Sequence, residues 1–165
     1  MSRLEGLPPI AAATAHTLIL GSMPGAASLA AQAYYAHPRN LFWPIVAEVL
    51  GIDAALPYAE RTRRFAEQGF ALWDVLAACR RSGSLDARIE AESIEVNDFG
   101  PFFVAHPGIR RVFFNGATAE HCFRRRVAAR IAGGAFAGRR LPSTSPANAS
   151  IPYVAKLAAW REIAQ

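Results

Sequence analysis

Short apolar runs alternate with longer amphipathic segments along the chain. Thr17-Leu18-Ile19-Leu20 is uninterrupted and stops at Gly21, the pattern of a strand buried on both faces; Phe70-Ala71-Leu72-Trp73 and Arg111-Val112-Phe113-Phe114 repeat it. After the first run, Pro44 can start a helix whose apolar positions Ile45, Val46, Val49 and Leu50 recur at helical spacing and end at Gly51. Tyr58 to Gln68 reads as a charged helix closed by Gly69. Asp74 stands where a helix through Val75 to Arg80 would be capped. Further helices are expected from Asn97 to His106, from Ala117 to Ile131 before Gly133-Gly134, and from Ile151 to Ala164, with a last strand near Arg139-Arg140-Leu141. This alternation predicts a single domain over residues 1–165: a three-layer α/β/α arrangement around a small, mostly parallel four-stranded sheet. Ligands of such sheets sit beyond the carboxyl ends of the strands. Four loops are expected there: Gly21 to Trp43, the segment from Asp74 onward, Asn115-Gly116, and Ser143 to Ser150.

Composition narrows the class. With 165 residues, 52% of them hydrophobic, the chain can bury one real core. No segment approaches the roughly 18 uninterrupted apolar residues of a membrane span, so a soluble, cytoplasmic protein with no membrane partner is expected, nucleoid-associated in a prokaryote. Cys79 and Cys122 lie far apart without a CxxC or CxH partner, which points to reduced thiols rather than a disulfide or metal site. The net charge of +5 fits a polyanionic partner, because cationic side chains displace counterions from phosphates. Nearly all the cations are arginine, Lys156 being the single lysine. Pairs such as Arg80–Arg81, Arg110–Arg111 and Arg139–Arg140 could track a phosphate backbone, or merely solvate the surface.

Familiar cofactor and nucleophile motifs are missing. Gly21-Ser22-Met23-Pro24-Gly25 lacks the glycine spacing of a dinucleotide loop, and neither Ser22 nor Ser145 has the flanking glycines of a nucleophile elbow. Only Asp74 supplies an acid near the strand ends, too few for metal-dependent nuclease chemistry. No cofactor and no metal are expected.

Three segments, in order, resemble the uracil-DNA glycosylase superfamily. Gly21-Ser22-Met23-Pro24-Gly25 followed by Tyr35-Ala36-His37-Pro38-Arg39-Asn40-Leu41-Phe42-Trp43 is similar to the first motif region of mismatch-specific uracil and thymine DNA glycosylases. Leu141-Pro142-Ser143-Thr144-Ser145-Pro146-Ala147-Asn148 looks like the second motif, a polar loop that clamps the DNA strand. The GSMPG and PRN forms are most similar to the hypoxanthine-DNA glycosylase branch. The resemblance implies a monofunctional, monomeric DNA glycosylase that removes a deaminated base, hypoxanthine first, in base excision repair. A G:U mismatch-specific uracil-DNA glycosylase and a non-catalytic binder of damaged DNA remain as alternatives. One departure bears on mechanism: where the uracil enzymes carry a water-holding Asn, this chain has Met23, whose thioether cannot do that work. The resemblance passes the task to Asn40.

Breaking an N-glycosidic bond puts positive charge on the sugar and negative charge on the leaving base, so the enzyme needs a base pocket, donors and a fixed water. Asn40 and Ser143 are the catalytic candidates, Asn40 as the amide that orients the water. Asn40 could equally cap a helix or turn. The base-binding candidates are Ser22, Met23, Tyr35, Asp74 and Asn115. Tyr35 aligns with the residue on which the flipped base stacks, and Asp74 could accept from the N1–H of hypoxanthine or simply cap a helix. Gly25, His37, Gly116, Thr144, Ser145, Pro146, Ala147 and Asn148 are the DNA-binding candidates. Of these, Thr144 and Ser145 would join Ser143 in binding phosphates, and Pro146 to Asn148 would form a wedge into the vacated space. The same residues would also serve as an ordinary loop before the last helix.

Overall fold

A computed structural model describes residues 2–131 and 137–165 of the chain. Its strands, in chain order, are β1 (Arg3–Glu5), β2 (Thr17–Gly21), β3 (Phe70–Asp74), β4 (Leu76–Arg80), β5 (Glu95–Val96), β6 (Arg111–Asn115) and β7 (Ala137–Leu141). Its helices are α1 (Ala26–Ala31), α2 (Phe42–Leu50), α3 (Tyr58–Glu67), α4 (Phe99–Ala105), α5 (Ala117–Arg126) and α6 (Tyr153–Trp160).

The apolar runs become a four-stranded, all-parallel sheet in the order β3-β2-β6-β7. Successive side chains on a strand point to opposite faces, and here both faces are covered. Leu18, Leu20, Ala71, Trp73, Val112 and Phe114 pack into one core with Phe99 and Phe102 of α4 and Phe123 of α5. Ile19, Phe70, Leu72 and Phe113 pack into the other with Phe42 and Ile45 of α2, Phe65 of α3 and Trp160 of α6. This double burial is why the strands read as continuous apolar runs rather than as an alternation. The three-layer architecture matches the expectation.

Register aligns the strands' carboxyl ends. Gly21 pairs with Asp74, Leu20 with Phe114, and Asn115 with Leu141, so the loops that follow emerge on one side.

One element differs in kind. The helix expected through Val75 to Arg80 is absent, and Leu76–Arg80 is instead β4, the centre of a second, antiparallel sheet ordered β1-β4-β5. Alanine-rich sequence favours helix only weakly, and here pairing on both edges decides. The β4 backbone bonds β1 on one side and β5 on the other, while Val75 and Leu76 donate to the Gly21 and Ser22 carbonyls. Asp74 therefore caps no helix. Its carboxyl group is left for other work.

Smaller differences concern ends. The Gly21–Trp43 segment contains the six-residue α1, and α2 begins at Phe42. Helix α5 ends at Arg126 and is followed by a 3-10 turn over Ala128–Arg130. The Gly133-Gly134 break lies outside the described residues. No described helix is long and apolar enough to cross a membrane.

Candidate active site

Polar atoms are buried where the sheet ends. Asp74, the last residue of β3, is 4% exposed, and its Oδ2 has no hydrogen-bond partner. The hydroxyl of Tyr35 is likewise buried without one. Both groups crowd Gly21: a Cβ at that position would fall 3.0 Å from the Tyr35 hydroxyl and well inside contact distance of Asp74 Oδ1. Only glycine leaves room for the carboxylate to lie against the end of β2. Asn97 Nδ2 donates to the Asp74 carbonyl at 2.7 Å, fixing the backbone from which that side chain projects.

Burial pushes the Asp74 carboxyl up to about 7; the nearby Asp86 adds to this, and Arg81 opposes it. Burial also holds the Tyr35 phenol far above its usual range, with Asp74 raising it further, so the phenol stays protonated. Tyr35 adopts a left-handed backbone, φ +55°, which costs a non-glycine residue energy and is tolerated where the surroundings enforce it. One face of its ring stacks on Phe42, centroids 4.2 Å apart and planes at 28°.

The late loop is stitched to the early one. Asn115 Nδ2 donates to Thr144 Oγ1 at 3.0 Å, and the Thr144 amide returns a bond to Asn115 Oδ1 at 2.9 Å. Both residues are buried, so this reciprocal pair locks the 143–148 loop onto the end of β6. The Leu41 amide donates to the Thr144 carbonyl at 3.0 Å, joining the Asn40 segment to the same loop. Asn40 itself is half-buried, and its Oδ1 accepts the Phe42 amide at 2.9 Å at the start of α2. A carbonyl oxygen has a second lone pair, so this bond leaves an acceptor for a water.

Within the 143–148 loop, Ser143 Oγ accepts the Ser145 amide and Ser145 Oγ accepts the Ala147 amide. Asn148 Nδ2 donates to the Ser143 carbonyl at 3.1 Å. Pro146 is half-buried and Ala147 exposed. Gly116, with φ +95°, lies so near Ser143 that an added Cβ would sit 3.0 Å from the serine Cβ. His37 closes the turn before Asn40: its Nδ1 accepts the Arg39 amide and its carbonyl the Asn40 amide.

Other expected residues sit near the site without facing it freely. The Ser22 hydroxyl donates to Asp86 Oδ1 at 2.8 Å. Met23, 6% exposed, packs its side chain into the core beside α4 and α5. Gly25 precedes α1, beside Ser84, whose hydroxyl accepts the Ala26 amide. The amide of Asn115 is engaged by Thr144.

Most of the paired arginines make contacts within the protein. Arg81 is 4% exposed; its Nε donates to the Gly83 carbonyl at 2.8 Å and its Nη2 to the Pro24 carbonyl at 2.7 Å, while Nη1 is buried without a partner. Arg80 pairs with Glu90, Arg139 with Glu162, and Arg111 binds the Glu162 and Gln165 carbonyls. Arg81 and Asp86 are the site-lining residues that sequence reasoning missed. Asp86 is exposed, yet its carboxyl group accepts the Ser22 hydroxyl, and partial desolvation there raises it above the ordinary range. No local pattern marks either residue, because only the pairing of β4 brings the segment after it over the Gly21–Gly25 loop.

A parallel α/β domain with unpartnered polar atoms buried at the carboxyl edge of its sheet is the framework of a ligand-processing enzyme. A model of the uracil DNA glycosylase superfamily matches residues 8–164, and the chain belongs to that superfamily. A hypoxanthine DNA glycosylase of Methanosarcina acetivorans is 33% identical over 145 residues, 87% of each chain. One from Methanosarcina barkeri is 35% identical over 113 residues, 68% of this chain and 70% of its own. The solution NMR structure of a candidate uracil DNA glycosylase from Methanosarcina acetivorans superposes with a TM-score of 0.81 at 28% identity, covering 99% of this chain and all of the other.

Proposed function

We propose that the protein is a monofunctional DNA glycosylase, working as a monomer, that hydrolyses the bond between hypoxanthine and deoxyribose in DNA. The observation that carries this reading is the buried Asp74 carboxyl group, with one oxygen unpartnered, set beside the Tyr35 hydroxyl at the carboxyl end of the sheet. The names of the two Methanosarcina relatives support it.

In this reading, the nucleotide rotates out of the duplex and its base enters over Gly21. The ring stacks on the Tyr35 face not taken by Phe42, a contact worth roughly 1–3 kcal/mol. Ionised Asp74 accepts from the base N1–H. Adenine presents an acceptor at that nitrogen, so the carboxylate favours the deaminated purine. Asn40 Oδ1 orients a water toward the anomeric carbon. As the C–N bond breaks, its electron pair leaves with the base, the water oxygen bonds the sugar carbon, and a water proton is released. Ser143 and Ser145 hydroxyls bind the flanking phosphates; Pro146 to Asn148 fill the space the base vacates. Such an activity belongs in the compartment that holds the DNA.

Uracil release is the second reading, because uracil offers Asp74 the same adjacent N–H and carbonyl. Parallel single-turnover assays on inosine- and uracil-containing duplexes decide. Faster hypoxanthine release supports the proposal, dominant uracil release replaces it, and tight binding of damaged DNA with no abasic product would leave a binder only. Intact abasic strands are expected among the products. The chain's one lysine, Lys156, is 1% exposed within α6, which leaves no accessible side-chain amine for Schiff-base chemistry.

A further inference from the structure

The Asp74 carboxylate raises a problem that the site must solve. A buried acid prefers to be neutral, and a neutral Asp74 would donate a proton toward a base nitrogen, which suits adenine rather than hypoxanthine. An ionised Asp74 with nothing to offset it would in turn oppose the negative charge growing on the departing base.

Two charged groups stand on the segment that follows β4, each bonded to the Gly21–Gly25 loop against which Asp74 lies. Arg81 has its guanidinium clamped by the Gly83 and Pro24 carbonyls, with a third nitrogen buried and unpartnered. Asp86 is anchored by the Ser22 hydroxyl, one residue after the Gly21 that Asp74 abuts. These bonds, and that from the Ala26 amide to Ser84, hold the whole segment against the Gly21–Gly25 loop. Among the described residues, the other titratable groups coupled to Asp74 are the phenols of Tyr34, Tyr35 and Tyr58, all raised by burial and therefore neutral at physiological pH.

We propose that Arg81 and Asp86 are opposed positioning residues that set the charge of Asp74, and with it the preference for a deaminated over an unmodified purine. Arg81 holds Asp74 in its proton-accepting form and balances that charge when the base leaves; Asp86 keeps the carboxyl group close to its protonation point. This inference rests on the base-reading role given to Asp74 above.

The experiment is a carbon-13 NMR titration of the Asp74 carboxyl group in the DNA-free protein, paired with the pH profile of single-turnover hypoxanthine release. Wild type, Arg81→Gln and Asp86→Asn are compared. Arg81→Gln should move the Asp74 midpoint upward by more than about 0.3 pH unit, a twofold change in the ratio of ionised to neutral carboxyl, with the acid limb of release following it. Asp86→Asn should move both downward. A merely structural role would lower the rate without moving either midpoint. NMR midpoints that stay within a few tenths of a unit of wild type overturn the inference. If Arg81→Gln does not fold, the Asp86→Asn titration alone decides it, since that residue lies on an exposed segment. Midpoints that move while the release profile stays fixed would instead remove Asp74 from base reading, a distinct failure of the function proposed above.

Discussion

Replacing Gly21 with alanine adds one methyl group at the point where the site is tightest. The new Cβ would stand 3.0 Å from the Tyr35 hydroxyl and closer still to Asp74 Oδ1, where ordinary contact begins at 3.4 Å. The carboxylate would have to retreat by about 1 Å, the scale of displacement that costs roughly a hundredfold in rate when it misplaces a reacting group. Asp74 cannot retreat as a whole, because its backbone is paired with Gly21 and held by Asn97. Overpacking a buried site costs about 1–3 kcal/mol, so the variant should stay folded with a Tm lowered by several degrees. The assay is single-turnover release of hypoxanthine from an inosine duplex under saturating enzyme, with thermal unfolding measured alongside. A drop of about a hundredfold in the rate, with folding retained, is the expected result. Turnover within about threefold of wild type would mean that the Asp74 carboxylate has no part in holding the base, and would refute the reasoning from this contact.

Asn40→Ala should lower release at least about a hundredfold while costing roughly 1 kcal/mol of stability, since it removes both the water's anchor and the acceptor for the Phe42 amide; single-turnover kinetics and DNA-binding titrations separate the two losses. Asn115→Ala strands the buried Thr144 amide and hydroxyl and should lower the Tm by roughly 5–10 °C, which differential scanning calorimetry would read. The raised Asp74 carboxyl group makes the folded protein bind a proton more tightly than the unfolded chain does, so the Asp74 contribution to stability should fall as pH rises from about 4 to about 7 and then level off. Asp74→Asn escapes that penalty and should be more stable than wild type at pH 8 by up to a few kcal/mol, yet equal to it near pH 4; urea unfolding at the two pH values checks the sign.

The parallel sheet was legible because Leu18, Ile19, Leu20 and their counterparts are buried on both faces and must all be apolar. The loops at its carboxyl end followed from topology, and the Asn40 and Ser143–Asn148 segments do meet through Thr144. Leu76–Arg80 was not legible: its conformation is set by Arg3–Glu5 and Glu95–Val96, far away in the chain, rather than by its own residues. Arg81 was hidden for a related reason. Beside Arg80 it looks like a surface cation, and only the return of the chain over Pro24 buries it. Asn115 reads as a ligand-facing side chain until Thr144 is seen to occupy its amide.

The bond from Leu41 to Thr144 joins residues about a hundred positions apart, and Asn115 holds the same threonine. During biosynthesis, the early motif therefore waits, incomplete, until the 143–148 loop has left the ribosome. A nascent chain can fold much of its sheet and still have no clamp for DNA. Equally, a mature molecule in which the late loop and α6 come loose would fall silent before its core melts, so heat should abolish turnover at a lower temperature than it abolishes secondary structure.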